Sequence, residues 1–312
     1  MKKILKPIEY FFVVNYTIPR IWSFLKTFLF LLGASWTLIE LTSWILDAFP
    51  TEDTNKTYSD LFRNWLISEK YYALTLLTLA SFYRNRKKIS TVISVNGSDL
   101  EIEFKFCDIY KQKGATVLPL MDTFDTSLDN NLVDSNSLHG QLITKYYSGK
   151  VTNLDTEITT SLQRVGYTPT STSQSLPGKK DKYDIGTTAI AQPNSKYFYL
   201  TVLTTMTDSG NVTIQPEYIV DFLANLWQFI PQHGRTHKIV NIPIIGKGIN
   251  RLPAEYTHQR IAQEIANSFI TTSGQGTFCQ KLRICIYPYD AKYIDTKKLT
   301  EYIKHLIEYN FK

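Results

Sequence analysis

The apolar positions of this chain change character near residue 90. Before it they come in long runs. TFLFLLGASWTLIELTSWIL, from Thr27 to Leu46, carries one charge, Glu40. A stretch of about 20 apolar residues is the length a helix needs to cross roughly 30 Å of hydrocarbon. NWLISEKYYALTLLTLASFY (64–83) is a second candidate of similar length, interrupted by Glu69 and Lys70. The two predict an N-terminal transmembrane hairpin within residues 1–90. Beyond residue 90, short β-branched runs alternate with helical patterns. TVISVN (91–96), DLEIEFKF (99–106), ATVLPLM (115–121), TTAIAQ (187–192), KYFYLTVLTT (196–205), KIVNIPI (238–244) and KLRICIYP (281–288) read as strands. Helical spacing falls near 137–148, 155–164, 216–230, 254–272 and 295–309, as with Ile261, Ile265 and Phe269. Such alternation predicts a three-layer α/β/α domain with a mixed sheet over residues 91–312. The Ser/Thr/Pro-rich, then basic stretch YTPTSTSQSLPGKKDKYD (167–184) reads as a mobile surface loop rather than a domain boundary, because later strands must complete the sheet.

Composition sharpens the division. The mean hydropathy of −0.17 suits a soluble protein, yet four of the five tryptophans (Trp22, Trp36, Trp44, Trp65) lie in the first 65 residues. Trp22, Trp44, Trp65, Tyr71 and Tyr83 fall mostly near segment ends, as in an interfacial belt. The net charge of +6 forms no long basic stripe; its densest cluster is Arg84, Arg86, Lys87 and Lys88. No nucleic-acid partner is expected. Lys2, Lys3, Lys6, Arg20 and Lys26 precede the first candidate span, the basic cluster follows the second, and the connection DAFPTEDTNKTYSDLFR is net acidic. The positive-inside rule then places both termini in the cytoplasm and the loop outside, a two-pass inner-membrane topology. Glu40 and Lys70 would lie at similar depth, roughly 10 Å in, where opposite charges offset each other's cost in lipid. The three cysteines (Cys107, Cys279, Cys285) show no metal spacing and suit a reducing compartment. No small-residue cleavage site ends the apolar runs, so no cleavable signal is expected.

One loop suggests chemistry. In PIIGKGINRL (243–252) two glycines flank a lysine between a strand and a helix. Glycines let the backbone approach a phosphate closely, and free N–H groups add to a helix dipole at a helix start. The spacing matches neither a Walker loop nor a dinucleotide fingerprint. A plain glycine turn has the same pattern.

The ordered segments CDIYKQKG, VLPLMDTFDTSLDNNLVDSNSLHGQ, IGTTAI and PIIGKGINR resemble those of a macro domain. FDT, SLHGQ, GTT and P-x-x-G-x-G-x-x-R are closer still to the macro-domain effectors of Thoeris anti-phage systems, which resemble this chain also in carrying two membrane helices before the macro domain. The resemblance implies that Asp108 accepts from an adenine amino group and Ile109 lines the base. Ser135, Asn136, Ser137, Leu138, His139 and Gly140 would fall on the ribose and diphosphate loop, with Met121 and Asp122 at the strand end beside it. Gly186, Thr187 and Thr188 match a second phosphate-side loop. Gly246, Lys247, Gly248, Ile249 and Asn250 match the glycine-rich phosphate loop, with Arg251 adding a cation. No cofactor or metal is implied. The implied ligand is an NAD-derived ADP-ribose conjugate, such as histidine–ADP-ribose, made by a TIR-domain enzyme. The implied outcome is homo-oligomerisation and disruption of the lipid bilayer.

Hydrolytic macro domains usually carry an asparagine where this chain has Met121, and a triple glycine where it has NNLVDSNS. Both departures favour a receptor over a membrane-tethered ADP-ribosyl hydrolase. Asp122 and Asp125 remain nearby and able to position a water.

Overall fold

The computed structural model describes residues 9–10, 13–15, 18–49, 57–95, 99–129, 132–148, 151–246, 252–273 and 278–310. It divides into two compact units, Met1–Lys88 and Ile89–Lys312.

In the first unit α1 (Ile18–Asp47) packs against α2 (Tyr58–Ser68) and α3 (Lys70–Asn85). Thr57 starts α2 with a capping box: its hydroxyl accepts from the Asp60 N–H, and the Asp60 carboxylate accepts from the Thr57 N–H at 3.0 Å. Among the described residues one helix, not two, is long and apolar enough to cross a membrane, and it lies within α1. This corrects the expected pair of continuous spans. The second candidate is divided at Glu69, whose backbone (φ −95°, ψ 8°) leaves the helical region between a polar Ser68 and a charged Lys70. The expected ion pair is also different. Glu40 meets Arg63 at 3.6 Å, while Lys70 lies over the Tyr71 ring.

The most deeply buried side chains between these helices are small and polar. Ser43, Ser59 and Ser81 are buried, whereas Trp22, Phe30, Trp36, Trp44, Trp65 and Tyr71 face outward. Ser59 donates to Asp47, Arg63 to Ser43, and Ser23 to Asn85. A helical unit in water would bury the large apolar groups and expose the serines.

The second unit is built on an eight-stranded sheet in the order β1-β2-β10-β9-β3-β7-β6, with β8 on β7. The strands are β1 (Ser90–Ser94), β2 (Glu101–Phe106), β3 (Ala115–Met121), β6 (Thr188–Ala191), β7 (Phe198–Met206), β8 (Val212–Thr213), β9 (His237–Pro243) and β10 (Cys279–Ile286). β2, β10, β9, β3 and β7 run parallel; β1, β6 and β8 are antiparallel additions. The helices are α4 (Leu138–Tyr146), α5 (Val151–Val165), α6 (Pro216–His233), α7 (His258–Ser273) and α8 (Thr296–Asn310).

Side-chain alternation along β7 assigns the layers. Phe198 meets Tyr146 of α4 edge-on, and its neighbour Tyr199 meets Phe229 of α6. Phe198, Leu200 and Val202 share a core with Leu142, Ile143, Leu154, Ile158 and Leu162, so α4 and α5 cover one face. Trp227 of α6 packs on Phe269 of α7, on the other.

Two features of the sheet position the site. A buried polar row crosses it in register: Glu103, Arg283, Asn241 and Thr116 lie side by side on β2, β10, β9 and β3. Arg283 donates to Glu103 at 2.7 Å and to Asn241 at 3.1 Å, and Asn241 donates to the Lys113 and Ala115 carbonyls. Beyond this row β3 and β9 part, since they pair only at Ala115↔Val240 and Thr116↔Asn241. Thr116 donates its N–H to Tyr197 on the β7 side. By alternation Pro119 turns the edge that lacks an N–H toward β9, where the ladder cannot continue.

The stretch 167–184, expected to be a mobile loop, is a pinned strap. β4 (Ser171–Thr172) and β5 (Asp181–Lys182) form a small hairpin in it, Leu176 is buried, and Lys180 donates to the Gln174 and Leu176 carbonyls.

Candidate functional site

The gap between β3 and β9 opens into a cleft of about 540 Å³ at the carboxyl ends of the strands, within the roughly 300–1,000 Å³ of small-molecule sites. Open α/β sheets bind ligands in such crevices. One wall is the end of β3 (Pro119, Leu120, Met121), another is β7 and its turn into β8 (Leu203, Thr204, Gly210, Asn211, Val212). Leu132, Val133 and Asp134 lead into the start of α4, and Ile244 and Gly246 follow β9.

Local sequence explains the α4 wall. Ser137 is the N-cap: its hydroxyl accepts from the Gly140 N–H at 2.9 Å and donates to the Asp134 carbonyl at 2.6 Å. The Asp134 carboxylate accepts from the Asn136 N–H at 2.8 Å, which tightens the turn before the helix. A Cβ on Gly140 would stand 2.1 Å from the Asp134 carbonyl oxygen, so the loop reaches this position only over a glycine. N–H groups of the first helical turn have no intrahelical acceptor, and the helix dipole adds positive potential there.

Ser137, Leu138 and His139 of that turn line the cleft, together with Met121 and Gly246 of the sequence-derived set. His139 is 5% exposed, and neither ring nitrogen has a hydrogen-bond partner among the described residues. Burial, reinforced by Lys179, lowers its pKa to about 3, so the ring is neutral at physiological pH. No lysine or arginine lines the cleft among the described residues. Main-chain N–H groups and the end of a helix dipole are what this wall offers an anion.

Other expected residues stand nearby in supporting positions. Asp108 caps a short 3-10 turn by accepting from the Tyr110 N–H at 3.1 Å, and Ile109 is buried. Tyr110 donates to the Leu138 carbonyl, which fastens this segment to the start of α4. Ser135 and Asn136 are exposed on the turn before Ser137. Asp122 is buried, with its carboxylate accepting from the Met206 N–H at 2.8 Å; burial raises its pKa. Asp125 accepts from Thr123 and from the Lys179 N–H. Both aspartates are therefore engaged by the protein itself.

Gly186, Thr187 and Thr188 do not line the cleft. Gly186 (φ +87°) makes the turn into β6, and the fully buried Thr188 shares its hydroxyl with Thr201 and the Gly186 carbonyl. Lys247, Gly248, Ile249, Asn250 and Arg251 lie outside the described residues.

Sequence reading missed the β7–β8 wall. Its signal is the run TDSGN (207–211), where Thr207 and Asn211 close a tight turn and Gly210 takes φ +79°. It also missed Lys179, which joins Asp155 and the Phe124 carbonyl behind His139.

The geometry agrees with the comparisons to known proteins. The profile of the family described as Thoeris protein ThsA, Macro domain matches residues 102–287. The Thoeris protein ThsA of Bacillus amyloliquefaciens (strain Y2) is 23% identical over 234 residues, which cover 74% of this chain and 76% of that protein. The match takes in all five parallel strands, short only of Glu101 at the start of β2, and every wall of the cleft, and this chain belongs to the ThsA macro-domain family of Thoeris proteins.

Proposed function

We propose that this chain is a membrane-anchored receptor and effector of bacterial anti-phage defence. Its macro domain senses an ADP-ribose conjugate derived from NAD by a TIR-domain enzyme, histidine–ADP-ribose being the leading candidate. The observation that carries the reading is the cleft between β3 and β9, with the capped start of α4 at its mouth. Main-chain N–H groups there suit a pyrophosphate, and the apolar walls suit the flat faces of a nucleoside. The Asp108–Ile109 turn, tied to α4 through Tyr110, would take the adenine end. The engagement of Asp122 and Asp125 by backbone and side-chain donors favours sensing over hydrolysis.

α1 would anchor the chain in the inner membrane. The serine seam and outward aromatics support a lipid surroundings for the first unit, since helices in lipid associate through small and polar residues. Ligand-driven assembly of several copies would then breach the bilayer, provided that the ligand binds the assembled state more tightly.

The test is calorimetry on the full chain in nanodiscs with ADP-ribose and its amino-acid conjugates, paired with dye release from liposomes. Binding with ligand-dependent release supports the reading. Turnover of an ADP-ribosylated substrate would replace it with the hydrolase, and absence of binding by every compound would remove it.

A further inference from the structure

Glu40 and Arg63 form an ion pair at 3.6 Å, yet each side chain remains about half exposed, at 51% and 49%. Glu40 lies seven residues before the end of α1 at Asp47, roughly 10 Å along the helix axis. In a bilayer that is within the hydrocarbon, where half-covered charges are costly unless more partners reach them. Arg63 also donates to Ser43, at 3.3 Å, and the pair has no further ion partner among the described residues.

The helix face beside this pair is shaped for close approach. At 100° per residue, Gly33, Thr37, Glu40 and Trp44 fall within about 60° of one another. That sector lies opposite Leu31 and Ser35, less exposed residues of α1, with Glu40 at its edge one turn from the buried Ser43, where Arg63 reaches both. A Cβ on Gly33 would meet nothing within 4 Å among the described residues. Thr37 turns its hydroxyl back to the Gly33 carbonyl at 3.0 Å and so presents its methyl group. Small residues spaced by four let helix backbones approach in lipid. The half-exposed pair supplies both signs of charge, so the surface is complementary to itself.

We propose that this face of α1 docks a second copy of the chain within the membrane, with the Glu40–Arg63 pairs of the two copies closing into one network. The inference rests on the membrane reading above and adds to it the surface by which copies meet.

The experiment uses the full chain in inner membranes. Gly33→Cys and, as control, Leu38→Cys, which is exposed on a different face, are oxidised with copper phenanthroline. Dimer severalfold above the control is expected at Gly33→Cys. Adding Glu40→Gln to Gly33→Cys should cut the dimer about fivefold, the factor one interhelical polar contact carries in lipid. The exchange Glu40→Arg with Arg63→Glu should restore it, which distinguishes lost pairing from lost folding. Equal crosslinking at both positions, none at Gly33→Cys, or no effect of Glu40→Gln overturns the docking surface. Release of the chain by alkaline carbonate overturns the membrane reading and this surface together; carbonate-resistant chain without crosslink overturns the surface alone.

Discussion

Gly140→Ala is the sharpest test of the α4 wall. The added Cβ would stand 2.1 Å from the Asp134 carbonyl oxygen and 2.6 Å from the Ser135 Cα. Both are backbone atoms, and the first contact is more than an ångström short of ordinary separation. The Asp134–Ser135 turn must retreat, and with it the Ser137 cap that holds the Gly140 N–H. Overpacking of this kind costs about 1–3 kcal/mol in stability. An anion at a helix start gains about 1–2 kcal/mol in a favourable, partly buried geometry. Losing that alignment raises Kd by about fivefold to thirtyfold. Gly166→Ala is the control: its φ of +83° strains an alanine but its Cβ meets nothing within 4 Å. The control should lower the melting temperature, at about 1–2 kcal/mol, and leave Kd unchanged. Calorimetry with the tightest-binding ADP-ribose compound and thermal melts of the full chain read both quantities. If Gly140→Ala binds as tightly as the parent, the start of α4 is not the ligand's seat.

Three further outcomes follow from named contacts. Because the folded pKa of His139 is lowered to about 3 from 6.5, the unfolded chain binds the extra proton. Its contribution to stability is complete above pH 6.5 and drains as pH falls toward 3, by about 2 kcal/mol at pH 5; His139→Met should flatten the stability profile of urea melts across that window. Glu103→Leu strands the Arg283 guanidinium, both side chains being at least 90% covered, and should cost about 3–5 kcal/mol, most of it regained in Glu103→Leu/Arg283→Met; additive losses in urea melts would contradict this. Lys179→Met frees Asp155 and the Phe124 carbonyl, so trypsin should cut the strap after Lys182 faster than in the parent, with an unchanged rate counting against the pin.

What the sequence made legible were the features written in local pattern. β-branched runs marked the strands, because each buried strand must present apolar groups to helices. The macro-domain segments marked the α4 turn, because only a glycine at 140 and a hydroxyl at 137 build that approach. Long-range pairings were not legible. Nothing local says that Glu40 finds Arg63 rather than Lys70, or that Asp122 spends its carboxylate on the Met206 N–H. The strap read as a loop because its one buried anchor, Leu176, sits alone among polar residues. α5 begins at Val151, ahead of the apolar repeat that betrayed it, because its polar first turn carries no periodic signal.

The short pairing between β3 and β9 has a mechanical meaning. Two residue pairs, reinforced by the Asn241 amide on the Lys113 and Ala115 carbonyls, stitch together half-sheets of four strands each. Such a stitch resists sliding far better than it resists splaying. A guest wedged where the halves diverge would touch both, like mortar in an open joint, and the inclination of one leaf to the other would follow the guest's size.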